Sequence, residues 1–342
     1  MKLVAGVDGG GTGTRALVLD GEGVERGRGE GPPGLMTRMD LSAAAETVAD
    51  AVEVAVSSAA GAARKGSSQE GAEARSKRAV ASGGPGLETG GFRLAHLCAG
   101  VAGAGSEDAR AAVRAALEDR DLAERVTVTT DVDVALRDAF PAGRPGILLV
   151  AGTGSMALGR SSDGAVVRSG GWGALLDDAG SGYRIALEAL GALLRSHDGR
   201  APETALTEPL LAAMDASRPE DLVTAADRAS KARIAGVAPR VVRAAEEGDS
   251  VALGIRDRAV RELLALVEAV SAGLQRGRHR DPASEDGSVP PVALHGGLIA
   301  PNRPLHRAVR DALEGLGYRV TDRTVVPARG AARMALEAAE GS

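Results

Sequence analysis

Val7-Asp8-Gly9-Gly10-Gly11-Thr12-Gly13-Thr14-Arg15-Ala16-Leu17-Val18-Leu19-Asp20 decides how this chain reads. Apolar residues from Leu3 to Val7 run into a carboxylate and three consecutive glycines, then Thr12-Gly13-Thr14, and aliphatic residues resume at Ala16. The pattern predicts strand, tight turn, strand, with the turn nearly free of side chains. Glycines let backbone N–H groups approach a phosphate, because no Cβ stands in the way. Gly10, Gly11 and Gly13 open the backbone, and Thr12, Thr14 and Arg15 add donors. Asp8 stands where a hydrated Mg²⁺ needs an anchor. The stretch reads as a nucleotide-phosphate hairpin.

Two other glycine motifs are excluded. Gly11 to Ala16 nominally fits the dinucleotide fingerprint, but that motif opens a helix and here an extended apolar run follows. No Gly-Lys-Ser or Gly-Lys-Thr occurs, so there is no Walker A loop.

At 342 residues the chain is longer than one typical core, which predicts two domains. An apolar content of 44% with only 1% aromatics implies packed cores of Leu, Val and Ala. A net charge of −5 gives no nucleic-acid footprint, so no nucleic-acid partner is expected. The single cysteine, Cys98, excludes an internal disulfide and argues against a cysteine-only metal site. The chain enters a strand directly and has no run of 18 apolar residues. A cytoplasmic protein with no leader and no membrane partner is the expectation.

Residues 41–63 are alanine-rich with helical spacing, whereas 64–91 are polar and read as a solvated insertion. Phe92 to Val101 reads as a strand entering a glycine turn, after which Ser106 caps a helix from Glu107 to Leu117. Arg125 to Thr130 alternates like a strand and ends at Asp131, before a helix over 132–139. Gly146 to Ala151 is a further strand, and Met156–Arg160 with Ala165–Arg168 makes a hairpin turning at Asp163-Gly164. Helices are predicted over 183–196, 203–214, 219–231, 238–247, 250–275, 302–315 and 329–340. A polar loop from Arg276 to Pro291 precedes a short strand, Val292 to His295. Strands cluster in two places, each with helices, so the class is α/β.

Gly152-Thr153-Gly154-Ser155 repeats the first loop: small residues and hydroxyls at the end of an apolar strand, opening a second hairpin. Two such loops suggest a duplicated fold holding phosphates between its halves. Asp131 lies between them in chain order and is the candidate general base for a phosphoryl acceptor; it reads equally as a helix N-cap. Asp133 and Asp138 read as solvated. Gly170-Gly171-Trp172-Gly173 holds the only tryptophan, either a flat wall for a sugar or a gap-filler between domains. Asp177 and Asp178 follow, and Gly296-Gly297 after His295 suits a flat adenine lying on backbone.

Taken in order, Asp8 to Thr12, Cys98 to Gly105, Thr130-Asp131, Ala151 to Ser155, Gly170 to Gly173 and Gly296-Gly297 resemble the BadF/BadG/BcrA/BcrD ATPase family, nearest its N-acetylglucosamine kinase branch. The resemblance implies an actin-like ATPase fold: two ribonuclease-H-like domains with an ATP cleft between them. Residues 1–130, closed by a C-terminal helix 329–342, would form one domain and 131–328 the other. It implies an ATP-dependent, Mg²⁺-requiring kinase acting on a hydroxyl of an amino sugar, N-acetylglucosamine or a glucosamine-like compound. Asp8 would hold the metal through water, Gly10 to Arg15 would contact the β- and γ-phosphates, and Asp131 would be the base. Gly152, Thr153, Gly154 and Ser155 would receive the γ-phosphate, Gly296 and Gly297 would flank adenosine, and Gly170, Gly171, Trp172 and Asp178 would bind the sugar. A homodimer is compatible with the resemblance.

Two departures fall on the sugar side. Asp177-Asp178-Ala179-Gly180-Ser181 stands where the family has Gly-Asp-Glu-Gly-Ser, and Gly31 to Met36 lacks the sugar-contacting asparagine of this branch. Acceptor choice is therefore expected to lie in Gly31 to Met36 and Trp172 to Ser181. The competing readings are an ATPase activator of a radical dehydratase, disfavoured by the single cysteine, and a non-catalytic sugar or nucleotide sensor.

Overall fold

A computed structural model describes residues 2–34, 41–66, 93–278 and 289–341. Leu35 and Met36, most of the expected insertion (67–91) and most of the second polar loop (279–288) lie outside the described residues. The chain divides into two compact units: Met1–Asp138 with Val326–Ser342, and Ala139–Val325.

The first unit is built on β1 (Leu3–Gly9), β2 (Thr14–Asp20), β3 (Glu25–Gly31), β4 (His96–Val101) and β5 (Val126–Thr130). The sheet order is β3-β2-β1-β4-β5. The first three strands are antiparallel, and β4 and β5 run parallel to β1. Alternation sends Ala5, Val7, Ala16 and Val18 into a core with α1 (Leu41–Gly66) and α2 (Glu107–Glu118). Val4, Leu19 and Cys98 face the other way, against α3 (Asp131–Ala139) and the C-terminal helix, Pro327–Glu340.

Strand β3 has no apolar face, and no strand was expected there. Its inward positions are glycines because α1 lies directly on them. A Cβ on Gly27 would sit 2.1 Å from the Ala55 carbonyl oxygen, and one on Gly29 would sit 2.0 Å from that of Ala51. The period of two is present, but it is written in glycine.

The second unit repeats the order with β6 (Gly146–Ala151), β7 (Ser155–Arg160), β8 (Val166–Gly170) and β9 (Val292–His295), paired β8-β7-β6-β9. A parallel bridge from Val292 to Val320 stands in the place of the fifth strand. Each unit thus has the ribonuclease-H-like arrangement, and the class is α/β as expected. The helices are α4 (Gly182–His197), α5 (Thr207–Ala213), α6 (Asp221–Arg228), α7 (Lys231–Ala235), α8 (Ala238–Glu246), α9 (Ser250–Arg278) and α10 (His306–Gly315), and the C-terminal helix is α11. The helix expected over 219–231 is broken where Ser230 turns extended and caps α7 through the Arg233 N–H. Helix α9 runs through Arg276 to Arg278, further than expected.

The division between units falls after Asp138, not at the expected 130/131 boundary. Helix α3 stays with the first sheet because glycines admit it. A Cβ on Gly100 of β4 would lie 2.3 Å from Val134, and one on Gly330 of α11 would lie 1.9 Å from the Val134 carbonyl oxygen. Asp138, expected to be solvated, is instead fully buried. Its carboxylate accepts the Arg329 guanidinium at 2.6 and 2.7 Å and the Val326 N–H at 2.8 Å, binding α3 to the start of α11. Among the described residues no helix is long and apolar enough to cross a membrane.

Candidate active site

In the first unit the candidate residues gather at the carboxyl ends of the parallel strands β1, β4 and β5. Register pairing aligns Asp8 with Gly100, and Gly100 with Thr129, so one row crosses all three strands. Asp131 begins α3 one residue beyond β5. Asp8 shares the strand face of Val4 and Gly6, the face on which α3 packs. Burial first, and then the Asp131 charge, push the Asp8 carboxyl up to about 7, against the lowering pull of Arg15. Burial also raises Asp131, opposed by N–H groups of Val132 and of Asp131 itself.

The hairpin turn is closed by the Gly10 N–H on the Gly13 carbonyl at 3.1 Å, and the Gly34 N–H meets the Gly10 carbonyl at 3.2 Å. Gly11, Thr12 and Arg15 are exposed and Gly13 is half-buried. Among the described residues, no backbone acceptor takes the N–H of Gly11, Thr12 or Gly13. A turn with N–H groups in this arrangement has the chemistry to receive an anion. Thr14 differs from its expected role. It is buried, and its hydroxyl lies 2.7 Å from where a Cβ on Gly34 would be.

The N-cap position, the alternative reading of Asp131, is held by Thr130. Thr130 caps α3: its hydroxyl accepts the Asp133 N–H at 3.1 Å, while the Asp133 carboxylate accepts the Thr130 hydroxyl at 2.6 Å and the Thr130 N–H at 3.3 Å. This is a reciprocal capping box. Asp133, expected to be solvated, is therefore engaged in it, and it also accepts the Thr129 hydroxyl at 2.8 Å.

In the second unit, Gly152 to Ser155 joins β6 to β7. Gly297 lies beside it: a Cβ on Gly152 would be 3.6 Å from the Gly297 nitrogen. Gly296 has φ +100°, and a Cβ there would strike the Ala151 carbonyl oxygen at 2.4 Å. Ser155 is buried and gives its hydroxyl to the Ala179 carbonyl at 2.7 Å. It therefore braces the loop, and Gly152, Thr153 and Gly154 are its half-buried members. Asp178 is buried with φ +61° and accepts the N–H groups of Ser155 and Gly173. Burial, the largest influence, raises its pKa; Asp177 adds to that, and Lys231 opposes it. One carboxylate thus ties the Gly152–Ser155 loop to the glycine turn carrying Trp172.

Trp172 is 69% exposed, with the Arg168 guanidinium 5.1 Å from the centre of its ring. Arg168 and Lys231 are not legible in the sequence, since isolated charges on a strand or helix carry no motif.

Donors at strand ends and buried carboxylates beside them are what a nucleotide-phosphate site requires. A sequence model of the BadF/BadG/BcrA/BcrD ATPase family matches residues 5–335. The chain belongs to that family. One relative is the N-acetylmuramic acid/N-acetylglucosamine kinase of Clostridium acetobutylicum, 34% identical over 176 residues that cover 51% of this chain and 57% of that protein. Another is the N-acetyl-D-glucosamine kinase of Dictyostelium discoideum, 31% identical over 179 residues, or 51% and 56% of the two chains. The chain spans little more than half the length of these relatives. A solved protein of Chromobacterium violaceum, provisionally named N-acetylglucosamine kinase, is 24% identical with TM-score 0.69 over 98% of this chain and 99% of that one. A similarly named protein of Porphyromonas gingivalis gives 18% and TM-score 0.62 over the same shares. These two likenesses concern the fold.

Within this family an activator role would rest on thiolates. Cys98, the one cysteine, is buried in β4, and burial pushes its thiol up to about 12.

Proposed function

We propose that the protein is an ATP-dependent kinase phosphorylating a hydroxyl of an amino sugar of the N-acetylglucosamine type. The observation that carries this reading is Asp131, a carboxylate raised by burial, released from capping by Thr130, and placed near Asp8 at the ends of the parallel strands. A raised carboxylate accepts a proton more readily than an ordinary aspartate, which is what an attacking hydroxyl requires. The two aspartates fit a hard divalent cation, because its charge would relieve the penalty that holds Asp8 near 7. Mg²⁺ bound there would neutralise charge on the transferred phosphoryl group.

In this reading the N–H groups of Gly11, Thr12 and Gly13, with Gly10 and Arg15, hold the β- and γ-phosphates. Thr153 and Gly154, with Gly152 and Ser155 shaping the loop, serve the γ-phosphate. Gly296 and Gly297 flank the adenosine. Asp131 takes the proton of the sugar hydroxyl as its oxygen attacks the γ-phosphorus, and ADP leaves. Trp172, on the turn of Gly170 and Gly171, forms a wall for the sugar, and Asp178 shapes its polar side.

The sugar-kinase names of the two relatives support the substrate class. The test is ADP release with N-acetylglucosamine, N-acetylmuramic acid, glucosamine and glucose, using Asp131→Asn as the blank. Sugar-dependent release above the blank is expected. Tight ATP and sugar binding with no release from any of the four would make the protein a sensor and overturn the kinase reading.

A further inference from the structure

We infer that Arg168 is a positioning residue for the acceptor sugar, holding the indole of Trp172 in place as its binding wall. The inference rests on the reading of Trp172 as that wall.

Three observations converge on Arg168, which lies near the end of edge strand β8. Its Nε donates to the Gly170 carbonyl at 3.1 Å, and its Nη2 donates to the Gly171 carbonyl. Its guanidinium carbon lies 5.1 Å from the Trp172 ring centre, a cation–π distance. A Cβ on Gly171 would come within 3.0 Å of Nη2, so a glycine there lets the guanidinium reach across the turn.

The turn needs such a clamp. Gly170, Gly171 and Gly173 all have positive φ, at +74°, +72° and +93°, so three of the four residues around Trp172 have the widest conformational freedom of any type. Trp172 itself is 69% exposed, and among the described residues Arg168 is the cation that lies over its ring. An indole on so pliable a turn would sample many orientations and lose entropy on binding a sugar. The planar guanidinium fixes the two carbonyls before the indole and covers one ring face. At 69% exposure the indole keeps ring surface for the apolar C–H face of a pyranose. Arg168 touches no reacting atom in this account; its effect passes through Trp172.

Trp172 is the only tryptophan, so its emission reports on this turn alone. The experiment compares wild type, Arg168→Met and Arg168→Lys by Trp172 emission, with and without N-acetylglucosamine, and by steady-state kinetics. Arg168→Met is expected to change the emission of the sugar-free protein. It should also raise KM for the sugar about 5- to 20-fold, with kcat within about threefold and KM for ATP unchanged, given the modest size of a cation–π contact and two carbonyl hydrogen bonds. Arg168→Lys keeps a cation but cannot span both carbonyls, so it should fall between.

Identical sugar-free spectra for wild type and Arg168→Met, or an unchanged sugar KM, would overturn the role of Arg168. A wild-type enzyme that phosphorylates the sugar with no response of Trp172 would instead remove Trp172 from the acceptor site, and this inference with it. A general folding defect in Arg168→Met would lower kcat and ATP affinity together, a pattern that contradicts a positioning role.

Discussion

Replacing Asp8 by Asn should make the metal-free protein more stable at neutral pH while removing its metal-dependent activity. Burial and Asp131 move the Asp8 carboxyl from 3.8 to about 7. A group whose folded-state pKa is raised binds more protons folded than unfolded between those values. Stability therefore falls as pH rises from about 4 to 7, then levels off. At about 1.4 kcal/mol per unit, the ionised carboxylate costs the fold up to about 4 kcal/mol at pH 8 and about 1.5–2 kcal/mol at pH 5. Asparagine cannot ionise and escapes this cost at every pH. The quantity to read is the difference between the two pH values, about 2.5 kcal/mol, because pH-independent packing changes cancel in it. Scanning calorimetry in EDTA should show Asp8→Asn melting above wild type by a margin wider at pH 8 than at pH 5, by about 5–10 °C if it reaches unit 1 fully. Mg²⁺ with ADP should raise the melting temperature of wild type and not of the variant. A margin equal at both pH values, or larger at pH 5, would refute the placement of a strained carboxylate at Asp8.

Two further outcomes concern the helices that carry Asp131. Asp138→Ala strips the buried partner from Arg329 and the Val326 N–H; urea unfolding should show a loss of about 3–5 kcal/mol, and a loss under about 1 kcal/mol would contradict the bridging role. Gly330→Ala would set a Cβ 1.9 Å from the Val134 carbonyl oxygen, whereas one on Gly315 meets nothing within 4 Å. The first change should cost more than about 3 kcal/mol or abolish soluble expression, and Gly315→Ala, at the end of an exposed helix turn, should stay within about 1 kcal/mol of wild type by the same assay.

What the sequence discloses and conceals follows from how each feature is encoded. The β1–β2 hairpin and the Gly152 to Ser155 loop are legible because a strand–glycine–strand alternation is local. Strand β3 is hidden, since Gly27 and Gly29 satisfy the contact with α1 by lacking a side chain, and glycine ordinarily marks a turn. The duty of Asp138 is set by Arg329 and Val326, almost two hundred residues away in sequence, and no local pattern announces such a partner. Asp131 could be singled out by its place at a strand end. That it is free to act depends on Thr130 and Asp133 closing the cap between themselves, a choice among neighbouring hydroxyls and carboxylates that only geometry makes. Thr14 and Ser155 illustrate the converse. Both carry the right chemistry for a phosphate, but Thr14 is buried with no hydrogen-bond partner for its hydroxyl among the described residues, and Ser155 gives its hydroxyl to the Ala179 carbonyl.

Asp131→Asn is the sharpest test of the proposed kinase. Turnover of N-acetylglucosamine with Mg²⁺-ATP, measured beside ATP affinity by calorimetric titration, separates the base from the binding site. With Asp131 as the base, kcat should fall about 10²–10⁴-fold with ATP affinity within about threefold of wild type. A variant that turns over within about threefold of wild type would contradict it.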